Sequence, residues 1–456
     1  MSGLTVAHRA ALAVLLERCP DIMLRTVSSA VAPLPGGRAA ELRMMLVEET
    51  RDRKRRSLVL APVAPMFRSR RDGVTAMTFP AHVLPRLWKA ASMREPHLLG
   101  RLDSDSDDEA DVAAVADRIC LAASALVRDE PDLIWPADGD AATREQGLID
   151  LAACLDLAHL TRRGLPSLQV WLKRPDGDQV AELRLLLKDC AAVHVDGAQR
   201  VLEMLFAHLD DAVLILRIVV QTSLAAEREG FLSESELADF IDRLIAGVDD
   251  RARRIAAFKP AVEPGQVDPV IADLTWCANV LGELDVTLTL NPQSVWGKSV
   301  RDERVAIARQ LSTLLRAADK AVDQALPLER VQISGRMTRK VPSLSAPVEG
   351  EGVTAALSLL RLVGSVRGPA STFGCEADRK TLVETLTVRL TNHADETLRM
   401  INDGDAGEET HALKLIELAA CCLDLIDAVD AARTVRRRAA VAGGPLRGDE
   451  ASSQAA

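Results

Sequence analysis

The feature that most constrains this chain is an apolar segment, the repeated line, which occurs in two nearly identical copies and in a third, more divergent copy. It reads LIDLAACLDL at 148–157, LIELAACCLDL at 415–425 and IADLTWCANVL at 271–281. The anchor cysteines are Cys154, Cys277 and Cys421, each with a leucine three residues before it and an acid four residues before it. Because residues three or four apart share one face of a helix, each copy predicts a helix with a continuous apolar stripe.

The spacing around these lines predicts that the helix belongs to a duplicated module. Arg217 in LILRIV and Arg361 in SLLRLV precede Cys277 and Cys421 by the same 60 residues. An excess of Ala and Leu alone would not keep two diverged stretches in register over such a length. The unit is longer than the roughly 33 to 47 residues of helical solenoid repeats, so small multi-helix bundles are favoured.

The composition favours the same class. Hydrophobic residues make up 48% of the 456 residues, but aromatics make up only 3% and Tyr is absent. Cores built mainly from Ala, Leu and Val suit helix-on-helix packing better than strands, which prefer aromatic and β-branched residues. We therefore expect a mainly α fold, in which tandem bundle modules form an elongated helical array.

The N-terminal region differs from this pattern and predicts a small α+β unit. Helices are expected near 4–18, 21–32 and 38–53. The runs SLVLAPV (57–63) and GVTAMTF (73–79) are short and apolar, and RSRRDG lies between them. Short apolar runs that flank a Gly-containing turn are typical of a two-stranded hairpin.

These patterns divide the chain into seven parts. The stretch 327–352 lacks periodicity and is rich in Pro, Gly and Ser, which is typical of a linker. The predicted parts are the α+β unit 1–102, an acidic linker 103–111, a first module 112–212, a second module 213–326, the linker 327–352, a third module 353–440 and a disordered tail 441–456.

Motifs for catalysis, cofactors and metals fail on inspection. GKS at 297–299 resembles the end of a phosphate-binding loop, but Pro292 stands where that loop needs Gly, so a turn is expected. The acidic run 103–111 starts like a calcium loop, yet Asp108 and Ala114 replace its Gly and its bidentate acid. Cys190 and His194 lie one helical turn apart, but no second ligand pair accompanies them. No catalytic residue, cofactor or metal ligand is predicted.

Eight basic residues cluster between positions 51 and 71. They are Arg51, Arg53, Lys54, Arg55, Arg56, Arg68, Arg70 and Arg71. One interpretation is a helix end whose cations complement the C-terminal dipole; the other is a face that binds nucleic acid, acidic lipid or an acidic partner. The net charge of −10 argues against general nucleic-acid affinity. The acidic run 103–111 is expected to fold over this face.

Two arginines lie inside apolar segments, where an unpaired cation would be costly to bury. The acids Asp273 and Glu417 recur 56 residues after Arg217 and Arg361 respectively. The sequence therefore predicts two structural ion pairs, Arg217 with Asp273 and Arg361 with Glu417.

A cytoplasmic location is expected, because eight scattered cysteines suit a reducing compartment and the most apolar run, 212–226, contains Arg217 and cannot span a bilayer. The leading hypothesis is a non-catalytic interaction or scaffold protein whose partner is another protein. The alternative is a regulatory nucleic-acid- or anion-associated protein that uses the Arg51 to Arg71 face. A second alternative is an enzyme with a pocket between modules.

Overall fold

The chain is mainly helical, with one two-stranded antiparallel sheet among the residues described. The computed structural model describes residues 4–103, 109–137, 140–173, 175–222, 232–233, 235, 237–260, 264–334 and 337–442. The chain divides into two compact units, residues 1–224 (unit 1) and residues 225–456 (unit 2). This division lies inside the predicted second module, 213–326.

Unit 1 is built from short and medium-length helices. They are α1 (Val6–Arg18), α2 (Asp21–Val31), α3 (Gly37–Val59), α4 (Val83–Arg94), α5 (Pro96–Leu99), α6 (Glu109–Asp129), α7 (Pro131–Ile134), α8 (Ala141–Asp156), α9 (Ala158–Gly164), α10 (Leu168–Trp171), α11 (Gly177–Val193), α12 (Gly197–Ala207) and α13 (Ile215–Thr222). Side-chain caps mark several starts: Asp140 accepts from the backbone N–H of Thr143, and Asp176 forms a capping box with Gln179.

Unit 2 contains longer helices and the sheet. They are α14 (Ala238–Ala257), α15 (Val267–Thr287), α16 (Val295–Ala325), β1 (Leu328–Ser334), β2 (Met337–Pro342), α17 (Glu351–Ser365), α18 (Arg367–Thr372), α19 (Glu376–Asn402), α20 (Glu409–Leu425) and α21 (Val429–Ala442). Helix α16 packs against α14, α17 and α19, whereas α19 packs against α20 and α21. Strand β2 lies against α19.

All three copies of the repeated line lie on buried helices, as predicted. They occupy α8, α15 and α20, which pack against the preceding long helices α6, α14 and α19. Cys154 and Cys277 are completely buried, but in the third copy Cys422 is buried and Cys421 is half-buried. The extra cysteine therefore shifts the buried position by one residue. The duplication of whole modules stays a prediction.

The predicted hairpin at 57–63 and 73–79 is wrong. Helix α3 continues through Val59, a 3-10 helix follows at Ala64–Phe67, and no strand is assigned between 57 and 79. Val59 and Leu60 are fully buried, so this apolar run is the end of a core-facing helix. Periodicity alone does not separate a short buried strand from the buried end of a helix.

The sheet lies instead in the segment predicted as a linker, 327–352. Strand β1 pairs with β2 from Leu328 opposite Pro342 to Ser334 opposite Met337, with a register shift between Gln332 and Ser334. The Pro, Gly and Ser residues on which the linker prediction rested lie mainly around these strands. The strands themselves carry the β-branched and apolar residues that suit a pleated surface.

Two other predicted segments fall partly outside the described residues. In the acidic run, Asp103 ends a 3-10 helix and Glu109 begins α6, whereas 104–108 lie outside the described residues. In the predicted tail, α21 continues to Ala442, and 443–456 lie outside them as well.

Candidate ligand-binding site

Unit 2 contains a cavity of about 700 Å³ between the end of α16, the base of the hairpin and one face of α19. Its apolar walls are formed by Val322, Leu326, Leu328, Pro342, Val388 and Leu390. The polar and charged lining residues are Asp323, Lys340, Glu384, Thr385, Arg389, Asn392, His393 and Glu396. The volume and the mixture of apolar walls with a few polar groups are typical of sites for small organic molecules.

The face of α19 supplies more than half of this lining. Thr385, Arg389, His393 and Glu396 are three or four residues apart, so they stand above one another along the helix. On its other faces α19 buries residues such as Leu386 and Ala394, which are fully covered. Packing against α16, α20 and α21 therefore holds the cavity face in place.

His393 is the unusual residue of the cavity. It is only 5% exposed, and neither ring nitrogen has a hydrogen-bond partner among the described residues. Its backbone carbonyl is occupied, since the hydroxyl of Thr397 donates to it at 2.8 Å. Burial lowers the pKa of the imidazole from 6.5 to about 4, because the charged form would lose its hydration. At neutral pH the imidazole is therefore uncharged, and both of its nitrogens, one donor and one acceptor, are buried within the protein.

The charges around the cavity are largely balanced by ion pairs. The guanidinium of Arg389 lies 2.9 Å from a carboxylate oxygen of Asp319 and 3.1 Å from one of Asp323. Glu396 pairs with Arg339 at 2.5 Å and with Arg399 at 3.0 Å. Asp319 and Arg389 also have buried polar atoms, Oδ1 and Nε, without a hydrogen bond of good geometry. The site thus offers polar groups but no concentrated charge of one sign.

Several of the predicted basic residues of unit 1 take part in ion pairs or hydrogen bonds within the protein. Arg53 donates to the carbonyl oxygens of Leu16 and Glu17 at the end of α1 and pairs with Glu49 and Asp21. Arg55 pairs with Asp103. Arg51, Lys54, Arg68 and Arg71 are exposed, and Arg56 is half-buried.

Arg70 has a structural role in the described contacts. Its guanidinium binds Asp72 through two nitrogens, donates to the carbonyl oxygen of Phe206 at 2.6 Å and lies over the Phe206 ring at 4.1 Å. Arg68 and Arg71 lie beside it around a small cavity of about 100 Å³, which His208 also lines. This cavity is too small for more than a compact ion, and the Arg70 charge is already neutralised by Asp72.

The expected contact between the acidic run and the basic residues is present at Asp103. Its carboxylate pairs with Arg55 and lies 3.9 Å from Arg51, and these cations keep its pKa below the usual value. The other acidic residues of this predicted contact, at 104–108, lie outside the described residues.

The four residues of the two predicted ion pairs have other partners. Arg361 pairs with Asp268 at 3.0 Å, and Glu417 pairs with Arg436 at 2.9 Å. Asp273 pairs with Arg254 at 2.7 Å and lies 3.6 Å from Arg251, while Arg217 donates to the carbonyl oxygen of Leu172 at 2.9 Å. Neither predicted pair is among the ion pairs of the described residues, since equal spacing along the chain does not determine which helix packs beside a given carboxylate.

The rejected motifs have structural roles. GKS lies in the first turn of α16, where Ser294 caps the helix by accepting from the backbone N–H of Gly297; the expected turn is therefore a helix start. Cys190 is buried, and His194 contacts a carboxylate oxygen of Asp156 at 3.1 Å. Within the described part of the chain, no group of three His, Cys, Asp or Glu residues is arranged to hold a metal ion.

Sequence reasoning did not identify the His393 cavity. His393 lies in TNHADETL, a polar context that is typical of an exposed helix face. The available signal was the helical spacing of Thr385, Arg389, His393 and Glu396, but that spacing also describes an ordinary solvated stripe.

Comparisons with known proteins find no match, whether with protein-family models, with curated proteins or with solved structures. Among the described helices, none has the length and apolar character that a bilayer crossing requires.

Proposed function

We propose that the chain is a non-catalytic binding protein whose unit 2 takes up an apolar organic molecule in the His393 cavity. The observation that carries the proposal is a concave cavity of about 700 Å³ that combines apolar walls with a limited number of polar lining groups. Concave and largely apolar sites of this size are where proteins most often bind small organic molecules.

The proposal keeps the cytoplasmic location expected from the sequence. All eight cysteines are free thiols and six of them are buried, which supports a reducing compartment. In this proposal the repeated bundle modules form the framework that positions the cavity.

The test is direct binding of prodan, an uncharged naphthyl ketone whose fluorescence shifts to the blue in apolar surroundings. The full chain should bind it saturably. Val388 lines the cavity and is 62% exposed, so Val388→Trp should fill the cavity without disturbing the core and should weaken binding by about tenfold or more.

The matched control is Lys380→Trp. Lys380 lies on the same helix with a 73% exposed side chain but is not a cavity residue. This variant should bind prodan like the wild type. Equal binding by the wild type and Val388→Trp, or no saturable binding at all, would contradict a ligand site in this cavity.

A second role, docking of another protein, is favoured by the first three helices of unit 1. Their core contains Leu16, Leu24, Val31 and Leu46. Large apolar side chains remain outside it: Val6 is 84% exposed, Ile22 73%, Leu15 64% and Met44 60%. Such surfaces mark interaction sites when they cluster. The two roles would divide between the units, so a partner protein should bind residues 1–224 and an apolar ligand residues 225–456.

A further inference from the structure

The hairpin that borders the His393 cavity has one face that is apolar at its base and basic further along. Side chains two residues apart on a strand lie on one face, and residues paired across antiparallel strands share that face. Leu328 pairs with Pro342, and Arg330 pairs with Lys340. Leu328, Lys340 and Pro342 all line the cavity. The hairpin face that forms part of the apolar wall therefore carries two opposed cations directly beside it.

These two cations are not neutralised by the protein. Arg330 and Lys340 are exposed, and neither has an ion partner among the described residues. Like charges directly opposite each other on a sheet destabilise the strand pair. A lysine on an edge strand discourages aggregation, but that role needs no second cation opposite it. An anion bound between the two side chains would relieve the repulsion.

The carboxylates of the cavity lining are already paired with other cations. The pairs are Asp323 with Arg389, Glu384 with Lys380, and Glu396 with both Arg339 and Arg399. On the opposite face of the hairpin, Val341 is buried and Arg339 is held by Glu396 at 2.5 Å. Within the described part of the chain, the cavity lining therefore supplies no carboxylate to Arg330 and Lys340.

The walls and the charges together describe an amphipathic ligand. Val322, Leu326 and Val388 offer an apolar surface for hydrocarbon. Arginine and lysine can lay their stems along such a surface while their charged ends stay in water, so the head group of the ligand need not be buried.

We infer that the ligand of the His393 cavity is an amphipathic monoanion, a hydrocarbon chain that ends in a carboxylate, and that the carboxylate binds between Arg330 and Lys340. The inference rests on the proposed function, because it adds a head group to the apolar molecule of the same site. It predicts that the affinity depends on the sign of the head-group charge.

The experiment compares decanoate with decyltrimethylammonium as competitors of prodan on the full chain at pH 7, below the concentrations at which either forms micelles. The two molecules share one hydrocarbon chain and differ in the sign of the head group. Decanoate should displace prodan at a concentration about tenfold lower than decyltrimethylammonium. The net charge of −10 by itself would favour the cation, so this order requires local positive charge. High salt should reduce the difference.

The combined variant Arg330→Met, Lys340→Met removes both charges and keeps apolar stems of similar length. It should abolish the preference for decanoate and leave prodan binding intact, because both positions are exposed. The matched control is the combined variant Lys298→Met, Lys414→Met. It changes the net charge of unit 2 equally at two exposed residues that do not line the cavity, so it should keep the preference.

The outcomes separate the two levels of the proposal. If prodan does not bind, the proposed function fails. If prodan binds but decyltrimethylammonium competes as well as decanoate, the cavity is a ligand site and the anion inference is overturned. A preference for decanoate that survives in the Arg330→Met, Lys340→Met variant overturns it as well.

Discussion

At the scale of single residues, His393 couples the stability of unit 2 to pH. In the folded chain burial holds its pKa at about 4, against an ordinary value of 6.5. Between these two pH values the unfolded chain binds a proton that the folded chain does not bind. The free energy of unfolding therefore falls as the pH falls from 6.5 towards 4. Above pH 6.5 the ring is neutral in both the folded and the unfolded chain, so its burial no longer lowers the free energy of unfolding.

Replacing His393 by Phe should remove this pH dependence. Lowering the pH from 7 to 5 should cost the wild type about 2 kcal/mol more than His393→Phe, from the difference between the two pKa values. Urea unfolding of both proteins at the two pH values measures the difference. The variant should also be more stable at pH 5, since it buries no unpaired nitrogen. Parallel losses in both proteins would contradict the buried, neutral state of this ring.

At the scale of secondary-structure elements, arginines satisfy the carbonyl oxygens that helices leave open at their C-terminal ends. Arg43 donates to the carbonyl oxygens of Val31, Ala32 and Leu34 after α2, and Arg53 does the same for α1. Arg379 donates to that of Val363 in the last turns of α17. These arginines therefore cap helix ends and join them to neighbouring segments.

Arg162 provides the sharpest test of this role. It donates to the carbonyl oxygens of Leu58 and Val59 at the end of α3, both at 2.7 Å, and pairs with Asp117 of α6 at 2.9 Å. Arg162→Met should destabilise the chain by about 2 to 3 kcal/mol, because the carbonyl of Leu58 and the carboxylate of Asp117 lose their donor and the carbonyl of Val59 keeps only the weak thiol donor of Cys120.

The control for Arg162 is its neighbour. Arg163 has a 55% exposed side chain and a single ion pair, with Asp189. Arg163→Met should therefore change the free energy of unfolding by less than about 0.5 kcal/mol. Equal effects of the two substitutions in urea unfolding would show that capping of α3 is unimportant.

At the scale of the whole molecule, each unit has its own buried core and the cavity lies entirely in unit 2. Residues 1–224 and 225–456, expressed separately, should each show helical circular dichroism and a cooperative thermal transition. The fragment 225–456 should bind prodan, and the fragment 1–224 should bind the protein partner. Loss of cooperative unfolding in either fragment would show that the units depend on each other for folding.

The sequence by itself determined the helical class and the burial of the repeated lines. Helical periodicity is a local property, so the buried stripes around Cys154 and Cys277 could be read directly from residue spacing. The hairpin was predicted in the wrong segment. Local spacing does not distinguish the helical run at 57–63 from strands β1 and β2, because whether an apolar run becomes helix or strand depends on the segments that pack against it.

Only the tertiary structure decided the partners of charged and polar side chains. Arg162 and Leu58 are 104 residues apart in the chain, and Arg436 rather than Arg361 pairs with Glu417. His393 becomes a candidate site residue because α16, β2 and α19 enclose it without offering a hydrogen bond. Such partners depend on where distant segments meet, and the spacing of residues along one helix does not contain that information.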